Sequence, residues 1–172
     1  IEIVEILLDG LLGTHRILAP ALGSFYPFLI SFFELLALAV IVACVVFITR
    51  RVVAKVGRFQ ADQHREMKSW PTRDALIILG VEIVLMWAFL SMNATDRLLQ
   101  LRGEGHYAEV LTGNLWISQW LMPLFTSWST EALIAYERVA WWLHILGIFA
   151  FSIYVTHSKH LHIALAFPNT YF

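Results

Sequence analysis

The sequence predicts an all-α integral membrane protein, and three observations carry this prediction. Of the 172 residues, 59% are apolar. Only 15% are charged, against about 25% in soluble domains. The apolar residues are gathered into long runs at 28–48, 75–93 and 133–156, each close to the roughly 20 residues that an α-helix needs to cross the hydrocarbon core. This pattern excludes an ordinary soluble globule, and the lack of a basic aromatic patch in the sequence argues against nucleic acid as a partner.

The individual elements follow from the runs and from the residues that end helices. Residues 1–13 are apolar but too short to span, so we expect the outer half of a longer helix that ends at Gly13. Three spanning helices are predicted, at 27–48, 74–96 and 131–157. The Trp-rich segment 114–128 is also too short to cross and is expected to lie along the outer interface. The sequence therefore predicts a single membrane domain, a fragment with a partial first helix and three full transmembrane helices.

The basic residues predict the orientation of these helices. The connection 49–73 holds most of the chain's 12 Lys and Arg residues, namely Arg50, Arg51, Lys55, Arg58, Arg65, Lys68 and Arg73. The connection 96–131 holds only Arg97 and Arg102. Cytoplasmic loops of membrane proteins are enriched in Lys and Arg. We therefore expect a multi-pass protein with loop 49–73 and the C-terminus in the cytoplasm and connection 96–131 outside.

Several polar or aromatic residues near the membrane are candidates for quinone binding or proton transfer. Glu34 lies within an apolar run, where a carboxylate is either a hydrogen-bonded packing residue or a proton acceptor. Trp116, in the interfacial segment, belongs either to an aromatic belt or to a lid over a lipid-soluble substrate. His15 follows the first helix; like His64 and His106, it is expected to be solvated or interfacial.

His144 and His162 are the histidines whose spacing indicates a cofactor. His144 has apolar residues on both sides, and an imidazole in hydrocarbon needs a partner. At 100° per residue, the 18 residues to His162 make five turns if the helix continues, which places both on one face about 27 Å apart. Such a pair is typical of a helix that provides axial ligands to two stacked haems. A packed histidine together with a boundary cluster explains the pattern equally well.

Other residues of the last helix refine this hypothesis. By the same geometry, His157 and His160 fall on the opposite side from His144. Gly147, one turn further on, would let a flat macrocycle approach, and Arg138 could orient haem propionates or form a local ion pair with Glu137. The chain has one cysteine, Cys44, which cannot hold an iron–sulfur cluster on its own.

Two segments carry a resemblance to a known family. "LHILG" at 143–147 and "SKHLHI" at 158–163 resemble the last helix of the respiratory nitrate reductase gamma subunit. Together with "GTHRILAP" at 13–20, they resemble the membrane domains of bacterial heterodisulfide-reductase-like iron–sulfur oxidoreductases. The likeness extends over nearly the whole chain, from the second helix of that fold to the fifth.

The resemblance implies a five-helix fold with one or two b-type haems. It implies that His144 is an axial ligand of the outer haem and His162 of the cytoplasmic haem. The opposite ligands would come from the family's second helix, of which residues 1–13 are the outer end and contain no histidine. The partner of His162 would lie upstream of this chain, and His15 is the only nearby candidate for the partner of His144. It further implies the membrane part of a quinone-linked oxidoreductase in a bacterial inner membrane. Electrons would pass between a quinone and an iron–sulfur protein or domain on the cytoplasmic side, with the clusters outside this chain, inside a larger respiratory complex.

Two other functions remain open at the level of the sequence. The chain could be a non-redox membrane anchor in which His144 is merely packed and loop 49–73 binds a partner or anionic lipid. Alternatively, His157, His160 and His162 could bind a metal ion at the membrane boundary.

Overall fold

A computed structural model describes residues 2–54, 70–110, 112–113, 115–158, 165–166 and 170. Within these residues the chain is helical and has no strand. The α-helices are α1 (Glu2–Leu12), α2 (Ala19–Leu22), α3 (Phe25–Val52), α4 (Trp70–Arg102) and α5 (Thr130–His157). Short 3-10 helices follow α4, at Gly105–Glu109, Ser118–Trp120 and Met122–Leu124.

Three of the helices are long and apolar enough to cross a membrane: Phe25–Val52, Arg73–Arg102 and Thr130–His157. The prediction of an all-α, multi-pass membrane protein is confirmed at this level. The helix α4 extends beyond the predicted 74–96 at both ends. A helix satisfies its own backbone hydrogen bonds and can therefore continue past its apolar run, where long side chains such as Arg102 bring their charge to the interface.

The contacts divide the described chain into two compact units. The first unit contains the described residues of 1–39 and 86–145, and the second those of 40–85 and 146–170. Each unit therefore takes one part of each long helix.

The first unit is built around the C-terminal part of α4. One core cluster comprises Tyr26, Ile30 and Leu115, and a second comprises Ala94, Leu98, Leu99, Tyr107, Phe125 and Leu133. The segment 115–128 is fastened to the helices by polar contacts. Glu34 Oε2 accepts hydrogen bonds from the backbone N–H groups of Ile117 and Ser118, at 2.9 and 3.2 Å. The segment is thus held from inside the bundle by a carboxylate.

The second unit is held mainly by apolar packing. Ile78 and Leu85 on α4 and Cys44 on α3 are buried. Gly147 on α5 meets Leu85 so closely that an added Cβ would lie 2.5 Å from Cδ2 of that leucine. Near the other end of this unit, the hydroxyl of Tyr154 donates a hydrogen bond to Asp74.

Candidate functional site

A cavity of about 800 Å³ lies in the first unit. Its wall is formed by α1, the turn 13–17, the C-terminal part of α4, the 3-10 helix Gly105–Glu109 and the first turns of α5. Two histidines, His15 and His106, line it, together with the carboxylates Asp96 and Glu137 and the ring of Trp141. It is therefore a polar site at one end of helices that are otherwise apolar.

The turn after α1 presents His15 to this cavity, and Asp9 holds the turn. The Asp9 carboxylate accepts hydrogen bonds from the Thr14 hydroxyl at 2.7 Å, from the backbone N–H of Arg16 at 2.8 Å and from that of Ile17 at 3.1 Å. Arg16 has φ +58°, a left-handed conformation that costs a non-glycine residue about 1–2 kcal/mol. The three hydrogen bonds to one carboxylate offset that cost.

The side chain of Arg16, the residue with the left-handed conformation, points into the protein. Nη2 of Arg16 lies 2.6 Å from Asp96 Oδ2 and 3.1 Å from Asn93 Oδ1, and Nη1 donates to the Tyr26 hydroxyl at 3.2 Å. Tyr26 in turn donates to Glu5 at 3.0 Å. Burial alone would lower the pKa of Arg16, but Asp96 and then Tyr26 hold it well above its ordinary value. Arg16, which lines the cavity, therefore remains a fixed cation.

His15, His106 and Tyr107 form an aromatic cluster at the cavity. The ring centroids of His15 lie 5.3 Å from His106 and 5.1 Å from Tyr107, and those of His106 and Tyr107 lie 4.1 Å apart. Burial, followed by the nearby His15 and Arg138, lowers the pKa of His106. His106 is consequently neutral at pH 7 and able to accept a proton.

Tyr107 connects this cluster to a second carboxylate. Its hydroxyl donates to Glu137 Oε2 at 2.9 Å. Burial and the neighbouring Glu137 raise the pKa of Tyr107, so the phenol keeps its proton. Nε of Arg138 lies 3.6 Å from the same Glu137 oxygen, and the Arg138 side chain remains 58% exposed. Arg138 therefore provides a partly solvated positive charge at the cavity.

Two residues that line the cavity each have a buried polar atom without a hydrogen-bond partner in the part of the chain that the structure describes: Asp96 has Oδ1 and His15 has Nδ1. Nε2 of His15 lies 3.4 Å from Asp96 Oδ1, within ion-pair range. His15 thus has one nitrogen facing a carboxylate and the other unused. That is the arrangement of a base whose orientation is set by an acid.

The structure brings together only some of the residues singled out in the sequence. His15 and Arg138 both line the cavity, whereas Glu34 and Trp116 do not. His15, expected to be solvated or interfacial, keeps 19% of its side chain exposed and has Asp96 beside it. Glu34 is fully buried, and besides the two backbone N–H groups it accepts a hydrogen bond from Asn93 at 3.3 Å. Trp116 is 42% exposed and packs edge-on against Phe28.

His144 is buried, as its apolar surroundings in the sequence predict, with 6% of its surface exposed and its ring centroid 5.9 Å from that of Phe89. The side of α5 at Gly147, expected to admit a macrocycle, is filled by Leu85. No cluster of three His, Cys, Asp or Glu that could hold a metal ion occurs among the described residues. The space beside Gly147 is thus occupied by a side chain, and the assignment of His144 as a haem ligand stays a prediction.

The remaining histidines of the last helix are His157, His160 and His162. The argument that His162 shares a face with His144 requires α5 to continue to residue 162. The described helix ends at His157, which is exposed, and His160 and His162 lie outside the described residues. The haem ligands His144 and His162 and the alternative metal cluster both stay predictions.

The sequence reasoning missed Asp96, Arg16, Tyr107 and Glu137 as parts of one site. A signal existed for the first two, because Asp96 ends an apolar run and Arg16 follows a short helix, and ionisable residues at membrane depth are usually paired. Comparisons with known proteins found no matching family model, no matching curated protein and no matching solved structure.

Proposed function

We propose that this chain is the membrane part of a quinone-linked electron-transfer protein and that the cavity beside His15 holds the quinone ring. The observation that carries the proposal is that Nδ1 of His15, a residue that lines the cavity, is buried without a hydrogen-bond partner among the described residues, while Nε2 faces Asp96 Oδ1 at 3.4 Å. Buried polar atoms normally have partners, and a ligand hydroxyl would provide one. The volume of about 800 Å³ is within the range of roughly 300–1,000 Å³ for small-molecule sites.

The side chains supply acceptors for the protons that a quinol loses on oxidation. Each quinol that becomes a quinone releases two protons and two electrons. His15 takes one proton at Nδ1, and Asp96, facing Nε2, stabilises the imidazolium that forms. His106, neutral because its pKa is lowered, takes the second. Reduction of a quinone reverses both transfers.

Arg16 positions the carboxylate in this scheme. Its two hydrogen bonds hold Asp96 Oδ2, at 3.2 Å from Nε and 2.6 Å from Nη2. The other oxygen, Oδ1, is left for His15. Hydrogen bonds at such sites are often long in the absence of ligand and shorten when it binds, which accounts for the 3.4 Å between Nε2 and Oδ1.

The two electrons must leave to a carrier, and the sequence resemblance predicts b-type haem on His144 and His162 and an iron–sulfur partner for that role. This part of the proposal rests on the sequence, as do the larger respiratory complex and the bacterial inner membrane. With loop 49–73 in the cytoplasm, as the positive-inside rule predicts, the cavity lies toward the outer interface, because Asp96 is near the end of α4 that leads into connection 96–131.

Binding of menadione, a naphthoquinone without an isoprenoid tail, tests the site. Isothermal titration calorimetry on the detergent-solubilised chain, with empty micelles subtracted, should give one binding site. We expect His15→Ala to weaken binding by about tenfold, the equivalent of one hydrogen bond to a polar partner. His157→Ala, at the exposed end of α5, should bind as the wild type. Absence of binding, or equal binding by His15→Ala, would contradict the proposal.

A reduced-minus-oxidised absorbance spectrum tests separately whether b-type haem is the electron carrier. The α band of b-type haem should be present, and His144→Ala should lower its amplitude. A chain with neither that band nor a quinone site would favour the non-redox membrane anchor.

A further inference from the structure

The geometry points to Trp141 as the wall on which the quinone ring lies and to Gly10 as the positioning residue that lets it do so. This inference rests on the proposed function. It adds a residue that determines which ligands fit the site, because a flat wall favours a planar conjugated ring over an acyl chain.

The close contact between α1 and Trp141 is the first observation. A Cβ added at Gly10 would lie 2.7 Å from Cη2 and 3.0 Å from Cζ2 of Trp141. The benzo edge of the indole therefore rests directly on the backbone of α1. Gly10 and Trp141 also both line the cavity that contains His15 and Asp96.

Gly10 lowers the stability of α1, and its close contact with Trp141 explains why a glycine is found at this position. Gly10 lies inside α1, where glycine is about 1 kcal/mol less favourable than alanine. Gly80, inside α4, has nothing within 4 Å of an added Cβ. The indole, a rigid ring, cannot turn aside as the end of a flexible side chain can, so a larger residue at position 10 must displace Trp141 or α1 and change the wall of the cavity.

Its neighbour shows that Trp141 is not simply an interfacial tryptophan. Trp142 is 54% exposed, as expected for a belt residue, whereas Trp141 is half-buried. The two rings meet edge-on, with centroids 4.9 Å apart and an interplanar angle of 83°. Trp141 is therefore fixed on one side by Trp142 and along its benzo edge by Gly10.

Stacking on an aromatic side chain contributes enough to be measured. For nucleobases it is worth about 1–3 kcal/mol by alanine substitution, and a tenfold change in Kd corresponds to about 1.4 kcal/mol. We therefore expect Trp141→Leu to weaken menadione binding by about tenfold. Trp141→Phe, which keeps a flat ring, should recover part of that loss.

A double-variant cycle, measured by calorimetry on the full chain, tests the role of Gly10. Gly10→Ala should weaken menadione binding by about tenfold, whereas Gly80→Ala should leave it unchanged. Phe lacks the Cζ2 and Cη2 atoms of the benzo ring that contact Gly10. Gly10→Ala in the Trp141→Phe background should therefore bind as Trp141→Phe alone. Helical circular dichroism equal to the wild type is required of every variant compared.

Each outcome separates the two proposals. If His15→Ala binds menadione about tenfold more weakly than the wild type but Trp141→Leu binds as the wild type, Trp141 is not the wall and the quinone site stands. If Gly10→Ala has the same effect in both backgrounds, Gly10 does not act through Trp141. If the wild type binds no menadione, the proposed function itself fails, and the wall with it.

Discussion

The two units of this chain use the same three long helices in different ways. Among the described residues, nearly all buried polar and charged side chains lie in the first unit, and Asp74 alone lies in the second. The contrast runs along a single helix: α4 contributes Ile78 and Leu85 to the core of the second unit, but Asn93 and Asp96 to the interior of the first.

This difference shows that the first unit, unlike the second, is held together by specific buried polar contacts. Burying a charge costs several kcal/mol unless it is paired and hydrogen-bonded. In the first unit every step of the chain Glu5–Tyr26–Arg16–Asp96 is a hydrogen bond. Apolar packing would hold the helices at lower cost, as it does in the second unit. Polar burial of this extent is therefore typical of a site that handles protons or a polar ligand.

The largest effect should come from breaking the buried ion pair. Asp96→Ala leaves Arg16 buried without its counter-ion, and we expect the free energy of unfolding to fall by about 3–5 kcal/mol. The measurement is unfolding in SDS–detergent mixtures, followed by circular dichroism.

The control for this prediction removes both charges. Arg16→Met with Asp96→Leu should recover most of the lost stability, because no unpaired charge remains. If the double variant is as unstable as Asp96→Ala, the two residues are not coupled and the polar network is not what distinguishes the first unit.

A matched pair of glycines should give the next largest effect. Gly10→Ala drives a Cβ against the rigid ring of Trp141, and overpacking of this kind costs about 2 kcal/mol. Gly147→Ala meets only Cδ2 of Leu85, the end of a flexible side chain. Its stability should stay within about 1 kcal/mol of the wild type, since alanine also favours the helix. If Gly10→Ala and Gly147→Ala lower the free energy of unfolding equally in the same assay, the two units do not differ in their tolerance of an added Cβ.

Loss of one hydroxyl from each unit should have a smaller effect. Tyr107→Phe removes a buried hydrogen bond to the Glu137 carboxylate, which should cost about 1.5 kcal/mol. Tyr154→Phe removes the bond to Asp74 at a less enclosed position and should cost less. Thermal unfolding of the two variants side by side decides the order; a larger loss for Tyr154→Phe would reverse the comparison.

The smallest effect concerns pH. The pKa of His106 is lowered in the folded protein, so the unfolded chain binds more protons below the ordinary value near 6.5. Stability should therefore fall as the pH drops from 8 to 6, and His106→Gln should reduce that fall. The check is the free energy of unfolding of both proteins at the two pH values; an identical dependence would exclude His106 as a source of it.

Much of the architecture could be predicted because hydrophobic length is a local property. A run such as 28–48 is apolar enough to span wherever the rest of the chain lies, and the structure has its helix there. Helix ends were less predictable, as α4 shows, because a helix stops where its capping and packing permit rather than where its apolar run ends.

The site was harder to predict because its members are far apart in the sequence. His15 and Asp96 are separated by 80 residues of chain, and each alone looks like an ordinary residue at the end of a helix. The sequence indicates an ion pair of Arg138 with Glu137, which the structure has at 3.6 Å, but not the contact of Glu137 with Tyr107. Periodicity identifies faces of one helix; it carries no information about which face of another helix lies opposite.

The sequence by itself determined that the chain is helical, has three helices long enough to cross a membrane and buries His144. Those properties follow from local composition and from the period of the helix. Both can be read from a stretch of about 20 residues of sequence. Only the tertiary structure decided that His15 faces a carboxylate beside a cavity and that Glu34 accepts hydrogen bonds from the segment 115–128. The physical reason is that a buried polar group is defined by its partner, and here that partner is supplied by another part of the chain.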